Sequence, residues 1–277
     1  MASIIIPAYN ESAVIERTIL SLLDQVSPED EIIVSCNGCA DETASIARQF
    51  EPRVKVIETM IPSKTVALNF GDQLAVSFPR IYMDADVRLI EGALDKIKHA
   101  LSSGRLLALS PSVSMDLSVA SWAVRAYYDI WLSLPYCQSG MVGAGIYALN
   151  EAGRKRFDKF PDVIADDGYV RALFREYERG RVEDAFSVVK APASLYWLIK
   201  IKTRSRLGGM ELALKHPELI ANEEKNYTNA LPKLIRNPSR WLKFAIYIYV
   251  NGVSRFLARR RFVALENYQW EKDVSSR

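Results

Sequence analysis

The sequence predicts an α/β fold with a mostly parallel sheet flanked by helices. In the first part of the chain, short apolar and β-branched segments alternate with segments whose apolar residues recur at helical spacing. Strands that alternate with helices imply right-handed crossovers and parallel pairing. The strands are predicted at residues 3–6, 31–35, 54–57, 81–83 and 106–109.

Helix-start signals follow the predicted strands. Residues 10–12 (Asn-Glu-Ser) begin the first helix, and Asp41 is the expected N-cap of a second helix that runs to residue 50. Lys64 is expected in a loop before a third helix, and a fourth helix follows the strand at residues 81–83. These signals complete the alternation of strand and helix.

Composition favours a globular protein in a reducing compartment. The 277 residues are 49% apolar and 25% charged, which is ample for a sizeable core. A net charge of +3 does not indicate nucleic acid, so no nucleic-acid partner is expected. An odd number of cysteines and the lack of a signal-peptide pattern favour the cytoplasm, with the inner face of the membrane as the alternative. Cys36 and Cys39 lack a second ligand pair and enclose an Asn-Gly turn, so neither a zinc site nor a redox role is expected.

Two carboxylates follow the strand at residues 81–83. Side chains alternate faces on an extended chain, so Asp84 and Asp86 point the same way if the chain stays extended past the small Ala85. Two hard oxygen donors on one side suit Mg²⁺ or Mn²⁺, which also bind substrate phosphates. The alternative is a solvated turn or a helix N-cap.

Three polar segments each lie just past the end of a predicted strand, at residues 8–11, 36–41 and 84–86. In open parallel sheets, ligands bind outside the carboxyl ends of the strands. We therefore expect these segments to meet in one crevice that holds a nucleotide diphosphate through a metal.

The middle of the chain carries a second set of candidates. Residues 119–132 form an aromatic-rich predicted helix, and a glycine-rich loop containing Gly143 and Gly145 passes into a strand ending at residue 149. Asp166 and Asp167 open another helix. Asp166 suits an N-cap, which leaves Asp167 without a structural explanation.

The last third of the chain is basic. After a strand at residues 188–192, a helix at 196–207 carries cations that either neutralise a pyrophosphate or form a solvated face: Lys200, Lys202, Arg204 and Arg206. Residues 232–262 contain eight Lys or Arg and no Asp or Glu. A candidate amphipathic helix at 239–261, with Trp241, Phe244, Ala245, Ile248 and Phe256 on one side, either lies in a membrane interface or packs on its own domain.

Together these motifs resemble the inverting glycosyltransferases of family 2, which have the Rossmann-like GT-A fold. The opening Ile4-Ile-Ile-Pro7-Ala-Tyr-Asn10-Glu11 looks like the family's first strand and nucleotide loop. Cys36 and Asn37 stand where the second loop often carries two acids before its glycine, and the Asn37 amide can read uracil or another base. The chain also contains segments similar to the family's lysine motif (Lys64-x-x-Ala-x-Asn69), its metal-binding triplet (Asp84-Ala-Asp86) and its acidic pair (Asp166-Asp167).

The resemblance implies a metal-dependent enzyme that moves one sugar. It implies Mn²⁺ or Mg²⁺ on Asp86 and Asp84, a general base at Asp167 beside Asp166, and a UDP-sugar as the favoured donor. The Gln-x-x-Arg-Trp motif of processive members is absent, which favours transfer of a single sugar. The donor-binding residues it implies are Pro7, Ala8, Tyr9, Asn10, Glu11, Asn37, Gly38, Lys64, Asn69, Asp84, Ala85, Asp86, Arg204 and Arg206. Gly143 and Gly145 are placed on the acceptor side.

The expected acceptor is a glycan or a lipid-linked glycan, as in synthesis of cell-envelope polysaccharide, with peripheral membrane contact through residues 232–262. We expect a GT-A domain at residues 1–210 and a helical, basic extension at 211–277. The alternatives are a non-catalytic protein that binds sugar nucleotides or carbohydrate, and a sugar nucleotidyltransferase. The latter normally has a glycine-rich, basic segment after its first strand, which Pro7-Ala-Tyr-Asn-Glu11 does not match.

Overall fold

A computed structural model describes residues 1–223 and 238–265. The chain divides into two compact units. The sheet unit comprises Met1–Ser114, Met141–Asp162 and Phe174–Val189. The helical unit comprises Met115–Gly140, Val163–Leu173 and the described residues from Lys190 onward. The predicted boundary between residues 210 and 211 falls inside a helix of the helical unit, and the proposed domain division stays a prediction.

The first four strands form the parallel half of the sheet. They are β1 (Ser3–Ala8), β2 (Glu31–Asn37), β3 (Val54–Thr59) and β4 (Arg80–Met83), in the spatial order β3-β2-β1-β4. Ile4 pairs with Ile32 on one side and with Ile81 on the other. Every residue of β1 is buried, as expected for a central strand covered on both faces. The parallel alternation predicted from the sequence is confirmed here.

The remaining strands extend the sheet with mixed directions. They are β5 (Arg88–Leu89), β6 (Ala108–Asp116), β7 (Ile146–Leu149) and β8 (Arg179–Lys190), and the full order is β3-β2-β1-β4-β7-β6-β8-β5. Strand β7 runs antiparallel to both β4 and β6, and β5 runs antiparallel to β8. The reversal at β7 has a consequence for the site, because Met83 at the end of β4 pairs with Ile146 at the start of β7.

The helices of the sheet unit cover its two faces. They are α1 (Ile15–Leu23), α2 (Thr43–Arg48), α3 (Lys64–Leu74) and α4 (Ala93–Ser102), with the short α7 (Glu151–Arg154) after β7. Helix α1 buries Ile15, Thr18, Ile19 and Leu22, which is one face at a period of 3.6 residues. Helix α3 packs through Gly71, where an added Cβ would lie 2.5 Å from Ile5 Cγ2.

The helical unit contains α5 (Trp122–Leu132), α6 (Pro135–Ser139), α8 (Asp166–Ala172), α9 (Leu195–Lys215) and, in the last described segment, α10 (Trp241–Phe262). Helices α5, α9 and α10 pack on one another. Tyr127 of α5 stacks on Tyr247 of α10, with ring centroids 5.3 Å apart. Lys202 of α9 lies 4.6 Å from the ring centroid of Trp131 on α5. Within residues 1–223 and 238–265, no helix combines the length and apolar composition needed to cross a bilayer.

Several predicted elements differ from the structure in position. Glu42, and not Asp41, is the N-cap residue of α2, and Lys64 is the first residue of α3 after its N-cap Ser63. Ala165 precedes α8, so Asp166 is its first helical residue instead of its cap. The strands expected at 106–109 and 188–192 are the longer β6 and β8, and the helix expected at 196–207 is the longer α9.

Candidate active site

The acidic pair lies in a tight turn at the end of β4. The Val87 N–H donates to the Asp84 carbonyl oxygen at 3.1 Å, which closes a four-residue turn around Ala85 and Asp86. The chain therefore does not stay extended past Ala85, which was the condition for the two carboxylates to point the same way, and the alternative of a turn applies here. Thr18 of α1 donates its hydroxyl to the Ala85 carbonyl at 2.7 Å and so anchors the turn from below. Both carboxylates are half-buried and lie at the carboxyl edge of the parallel strands.

Gly145 holds the other side of this turn. The Asp84 N–H donates to the Gly145 carbonyl at 2.7 Å, just before β7 begins. Gly145 has φ +77°, and an added Cβ would lie 2.5 Å from Val87 Cγ2 and 3.2 Å from Asp84 Oδ2. Only glycine fits such a backbone without strain. The half-buried Gly143 lies in the same loop, and an acceptor-side role for these two glycines stays a prediction.

Lys64 brings a cation to the acidic turn. Its Nζ lies 2.7 Å from Asp84 Oδ1, and the two side chains are 22% and 37% exposed. The lysine reaches this position from the first turn of α3, where the Ser63 hydroxyl accepts from the Val66 N–H at 3.4 Å. The ion pair therefore joins the lysine motif and the acidic turn, two segments that were each predicted from the sequence to bind the donor.

The loops after β1 and β2 are bonded to each other beside this turn. The Asn10 side-chain oxygen accepts from the Ala40 N–H at 2.7 Å, and Asn10 itself has φ +54°. The Glu11 N–H donates to the Thr43 hydroxyl at 2.7 Å, and the Ser12 N–H donates to Asp41 at 3.1 Å. These bonds fix the loop after β1, which also contains Pro7, Ala8 and Tyr9, against the loop after β2. Both loops lie at the same edge because Ala8 pairs with Cys36.

The end of β2 carries two cysteines in contact. The Cys39 Sγ lies 3.3 Å from the Ala8 carbonyl oxygen and accepts a hydrogen bond from the Asn10 N–H at 3.4 Å. A hydrogen bond from Cys36 is the main factor that lowers the pKa of Cys39 to about 6. The same bond, together with burial, raises the pKa of Cys36 far above its usual range. Neither cysteine forms a disulfide, and the expectation of no zinc site and no redox role here stays a prediction.

Two residues assigned to the nucleotide are more enclosed than the sequence suggested. Asn37 is only 4% exposed. Asn69 bonds the Phe160 backbone at both ends of its amide, accepting from its N–H at 2.8 Å and donating to its carbonyl at 3.0 Å. The structure thus gives Asn69 a structural role, and contact of either side chain with a nucleotide stays a prediction. Gly38 has φ +65° and donates its N–H to the Thr59 carbonyl at 2.7 Å.

The second acidic pair begins α8 in the helical unit. Asp166 is 3% exposed, whereas Asp167 is half-buried and therefore the more accessible carboxylate. The start of α8 is fixed by α9: the Ile164 N–H donates to Glu211 at 2.6 Å, and an added Cβ on Gly208 would lie 2.8 Å from Ala165 Cβ. Gly208 therefore allows the two segments to approach closely.

The basic residues of α9 have partners within the helical unit. Arg206 donates its Nε–H to the Ser254 hydroxyl at 2.9 Å and also bonds Asn251, which ties α9 to α10. Arg204 is half-buried on the same helix. Lys200 lies 4.9 Å from the ring centroids of both Tyr196 and Trp197. A role for Arg204 or Arg206 at a pyrophosphate stays a prediction.

A buried ionic network under β4 was not anticipated from the sequence. Asp72 of α3 accepts a hydrogen bond from the Tyr82 hydroxyl at 2.6 Å and from Arg154 Nε at 2.8 Å, and Arg80 Nε lies 3.5 Å from it. Arg154 is distant in sequence from the other three residues, and no motif links the four. The network ties β4 and α3 to the last residue of α7.

Residues 3–135 match the family described as glycosyl transferase family 2. Over these residues the chain belongs to that family. The validoxylamine A glucosyltransferase of Streptomyces hygroscopicus subsp. limoneus is 38% identical over 58 residues, which cover 20% of this chain and 13% of that protein. The uncharacterized glycosyltransferase YibD of Escherichia coli K12 is 25% identical over 136 residues, which cover 48% of this chain and 38% of that protein. The matched segments thus span less than half of either relative.

Solved structures of similar fold cover nearly all of the chain. The mannosyltransferase PcManGT from Pyrobaculum calidifontis, in complex with GDP-Man and Mn²⁺, is 18% identical with a TM-score of 0.60 over 95% of this chain and 75% of that one. S. aureus TarS 1–349 in complex with UDP is 14% identical with a TM-score of 0.55 over 99% and 95% of the two chains. At such identity the likeness establishes the fold. The predicted family and the predicted α/β GT-A class are both confirmed.

Proposed function

We propose that the chain transfers one sugar from a nucleotide-diphosphate sugar to an acceptor hydroxyl, with inversion at the anomeric carbon. The observation that carries this proposal is the acidic turn at Asp84 and Asp86, fixed by Thr18 and Gly145 at the carboxyl edge of the parallel strands. Ligands of such sheets bind at this edge. Family membership supports sugar transfer as the reaction.

A divalent cation suits this turn. Carboxylate oxygens are the preferred protein ligands of Mg²⁺ and Mn²⁺. Within the described residues, no group of three or more His, Cys, Asp or Glu side chains could hold a metal. We propose that Asp84 and Asp86 would hold the ion together with phosphates of the donor. PcManGT in complex with Mn²⁺ supports this choice of ion. When bound, the cation supplies stabilisation of the negative charge on the leaving diphosphate.

The chain's own groups orient the donor. Lys64 places an ammonium beside the acidic turn, where it can contact a phosphate oxygen. The loops after β1 and β2 are hydrogen-bonded to each other and would form a rigid surface for the nucleobase of the donor. This surface includes the half-buried Tyr9 and Asn10. A UDP-sugar remains our favoured donor. The similar structures contain UDP in one case and GDP-Man in the other, so the first experiment must determine which nucleobase the donor carries.

Asp167 is our candidate for the general base. It would accept the proton of the acceptor hydroxyl as the new glycosidic bond forms and the diphosphate leaves from the opposite side of the anomeric carbon. A single displacement of this kind inverts the configuration. Asp166 is buried and suits support of the helix start better than contact with the acceptor. A glycan or lipid-linked glycan is the proposed acceptor.

The decisive experiment measures release of nucleoside diphosphate from UDP- and GDP-hexoses in the presence of Mn²⁺, Mg²⁺ or EDTA. We expect release with one donor, dependence on the cation, and a loss of about three orders of magnitude in Asp86→Asn, since about 4 kcal/mol of charge stabilisation is at stake. Asp95→Asn is the matched control, because that carboxylate is 76% exposed on α4. Absence of release with every donor, or an Asp86→Asn variant as active as the control, would overturn the proposal.

A further inference from the structure

The fully buried residues of helix α10 are mostly small, whereas several of its large apolar residues are exposed. Its fully buried residues are Val250, Ser254 and Ala258, spaced four residues apart. On the opposite side, the exposed fractions are 57% for Trp241, 52% for Ile248 and 60% for Phe256. A helix that served only to complete the core would bury the larger side chains, because they gain most from leaving water.

The exposed apolar residues form one continuous stripe. At 100° per residue they fall on the side opposite Val250 and Ser254. The stripe runs along the helix through Trp241, Leu242, Ala245, Ile248, Tyr249, Gly252 and Phe256. Contiguous exposed apolar surface of this kind marks an interaction site in a globular protein.

The stripe ends in a cluster of arginines. Arg255, Arg259 and Arg260 are exposed and follow on the same side of the helix, with Arg260 5.8 Å from the Phe256 ring centroid. Residues 238–265 contain no Asp or Glu. The cations at the other end of the helix are already used within the unit, since Lys243 and Arg240 lie 2.9 and 3.3 Å from Asp129 of α5. Within residues 238–265, the exposed positive charge is therefore concentrated at the C-terminal end of the helix.

We propose that this surface docks on an anionic lipid surface, with α10 lying in the plane of the interface. Large aromatic and aliphatic side chains on one face, flanked by arginines, are the features of interfacial helices. Arginines near a negatively charged leaflet add electrostatic attraction, and that charge complementarity favours lipid over an electrically neutral partner. The helix is bound to α5 and α9 on its other side through Tyr127 and Arg206, so docking needs no unfolding of the helical unit.

The proposal is independent of the chemistry at the acidic turn. It would place the helical unit, which carries Asp167, at the surface where a lipid-linked acceptor resides. It also narrows the sequence-based expectation of membrane contact through residues 232–262, of which residues 232–237 lie outside the described part of the chain.

Co-flotation of the full chain with lipid vesicles tests this proposal without donor or acceptor. We expect binding to vesicles of phosphatidylcholine with about 30% phosphatidylglycerol and at least about tenfold weaker binding to pure phosphatidylcholine. The double variant Ile248→Ser/Phe256→Ser and the triple variant Arg255→Gln/Arg259→Gln/Arg260→Gln should each weaken binding about tenfold or more. All of these positions are exposed, so circular dichroism should show an unchanged fold.

Matched controls lie on exposed positions of the sheet unit. Leu20→Ser/Val76→Ser removes two apolar side chains that are 47% and 76% exposed, and Arg53→Gln/Arg105→Gln/Lys159→Gln removes three exposed cations. Both controls should float like the parent. The proposal fails if the parent does not bind anionic vesicles or if the α10 variants bind as it does. It also fails if the parent is a dimer in solution that the α10 variants dissociate while vesicle binding is absent, which would make this face a contact between two copies.

Discussion

Lys64 and Asp84 form an ion pair of 2.7 Å at the mouth of the candidate site. The lysine begins α3, and the aspartate directly follows β4, so the pair joins two segments at the same edge of the sheet. A cation already lies against one of the two carboxylates proposed to hold a divalent ion. Lys64 and the ion therefore compete for Asp84 until a phosphate offers the ammonium another partner.

Replacement of Lys64 by methionine tests this competition. Lys64→Met keeps the length of the side chain and removes its charge, so Mn²⁺ binding without nucleotide should tighten about three- to tenfold. That range matches the roughly 1 kcal/mol typical of a partly exposed ion pair. Donor affinity should fall, because the phosphate contact is lost. Isothermal titration with Mn²⁺ alone and then with Mn²⁺ and nucleoside diphosphate separates the two effects.

Lys96→Met is the control for that variant, since Lys96 is also ion-paired, to Asp184 at 3.1 Å, on the same unit. It should leave both affinities unchanged. A Lys64→Met variant that binds Mn²⁺ more weakly than the parent would show that the lysine helps to hold the ion site instead of competing for it.

Gly145→Ala should abolish turnover at modest cost to the fold. The new methyl group would meet Val87 at 2.5 Å and the Asp84 carboxylate at 3.2 Å, and the backbone has φ +77°. Displacement of the acidic turn should lower kcat by at least about a hundredfold, since a misplacement of about 1 Å can cost that much. Gly104→Ala is the matched control, because Gly104 has φ +68° but open space around it. It should lose about 1 kcal/mol of stability from the left-handed backbone and no activity. Equal activity in the two variants would show that the turn tolerates displacement.

The sequence predicted the parallel half of the fold because each strand there is a short apolar segment closed by a polar loop. It could not predict the antiparallel half with equal accuracy. Strands β6 and β8 extend well beyond their apolar centres, and their outer residues are only partly buried. Their pairing depends on neighbours distant along the chain, which a local pattern does not reveal.

In the candidate site, too, features set by neighbouring residues were predictable from the sequence, whereas contacts between distant residues were not. Asp84 and Asp86 were recognisable as a strand-end pair, but the turn that shapes them is closed by Val87 and held by Thr18 and Gly145. In α10, apolar periodicity located the helix, yet periodicity does not tell which side packs. Small residues pack here because they allow close approach to α9, as Ser254 does with Arg206.

Cys39 should be alkylated far faster than Cys36 at neutral pH. The hydrogen bond from Cys36 lowers the pKa of Cys39 to about 6, so Cys39 is mostly thiolate at pH 7, whereas Cys36 is buried and remains a thiol. The rate of iodoacetamide modification at Cys39, followed by peptide mass spectrometry, should rise with pH and level off above about pH 7. In Cys36→Ala the midpoint should move toward that of an ordinary cysteine, near pH 8.5. A midpoint near that value in the parent would contradict the proposed hydrogen bond.

Asp167→Asn should stop transfer while donor binding persists. The amide keeps the shape of the side chain but cannot accept the proton of the acceptor hydroxyl, and general-base catalysis contributes about 10² to 10⁴ in rate. Nucleoside diphosphate and Mn²⁺ should bind to this variant as they do to the parent in titration calorimetry. Asp166→Asn serves as the comparison, because loss of charge at this 3% exposed position should lower stability more than it lowers kcat. A transfer rate within threefold of the parent in Asp167→Asn would refute the assignment of the base.

Glu31 should make the sheet unit sensitive to acid. Burial opposes ionisation of this carboxylate, but hydrogen bonds from Lys55, Ser3 and the Val76 N–H outweigh it and lower its pKa from 4.5 to about 2. A carboxylate with a lowered pKa stabilises the fold above its unfolded pKa and loses that contribution as the pH falls through the folded value. The shift corresponds to roughly 3 kcal/mol, and exposure of Lys55 reduces the expected effect to about 1–2 kcal/mol. Denaturant unfolding of Glu31→Gln should therefore show lower stability than the parent at pH 7 and a shallower decline between about pH 5 and pH 2. Glu29→Gln, at an exposed position two residues earlier, should have the same stability as the parent at every pH. If the stability of Glu31→Gln falls with acid as steeply as that of the parent, the Glu31 carboxylate does not contribute in this way.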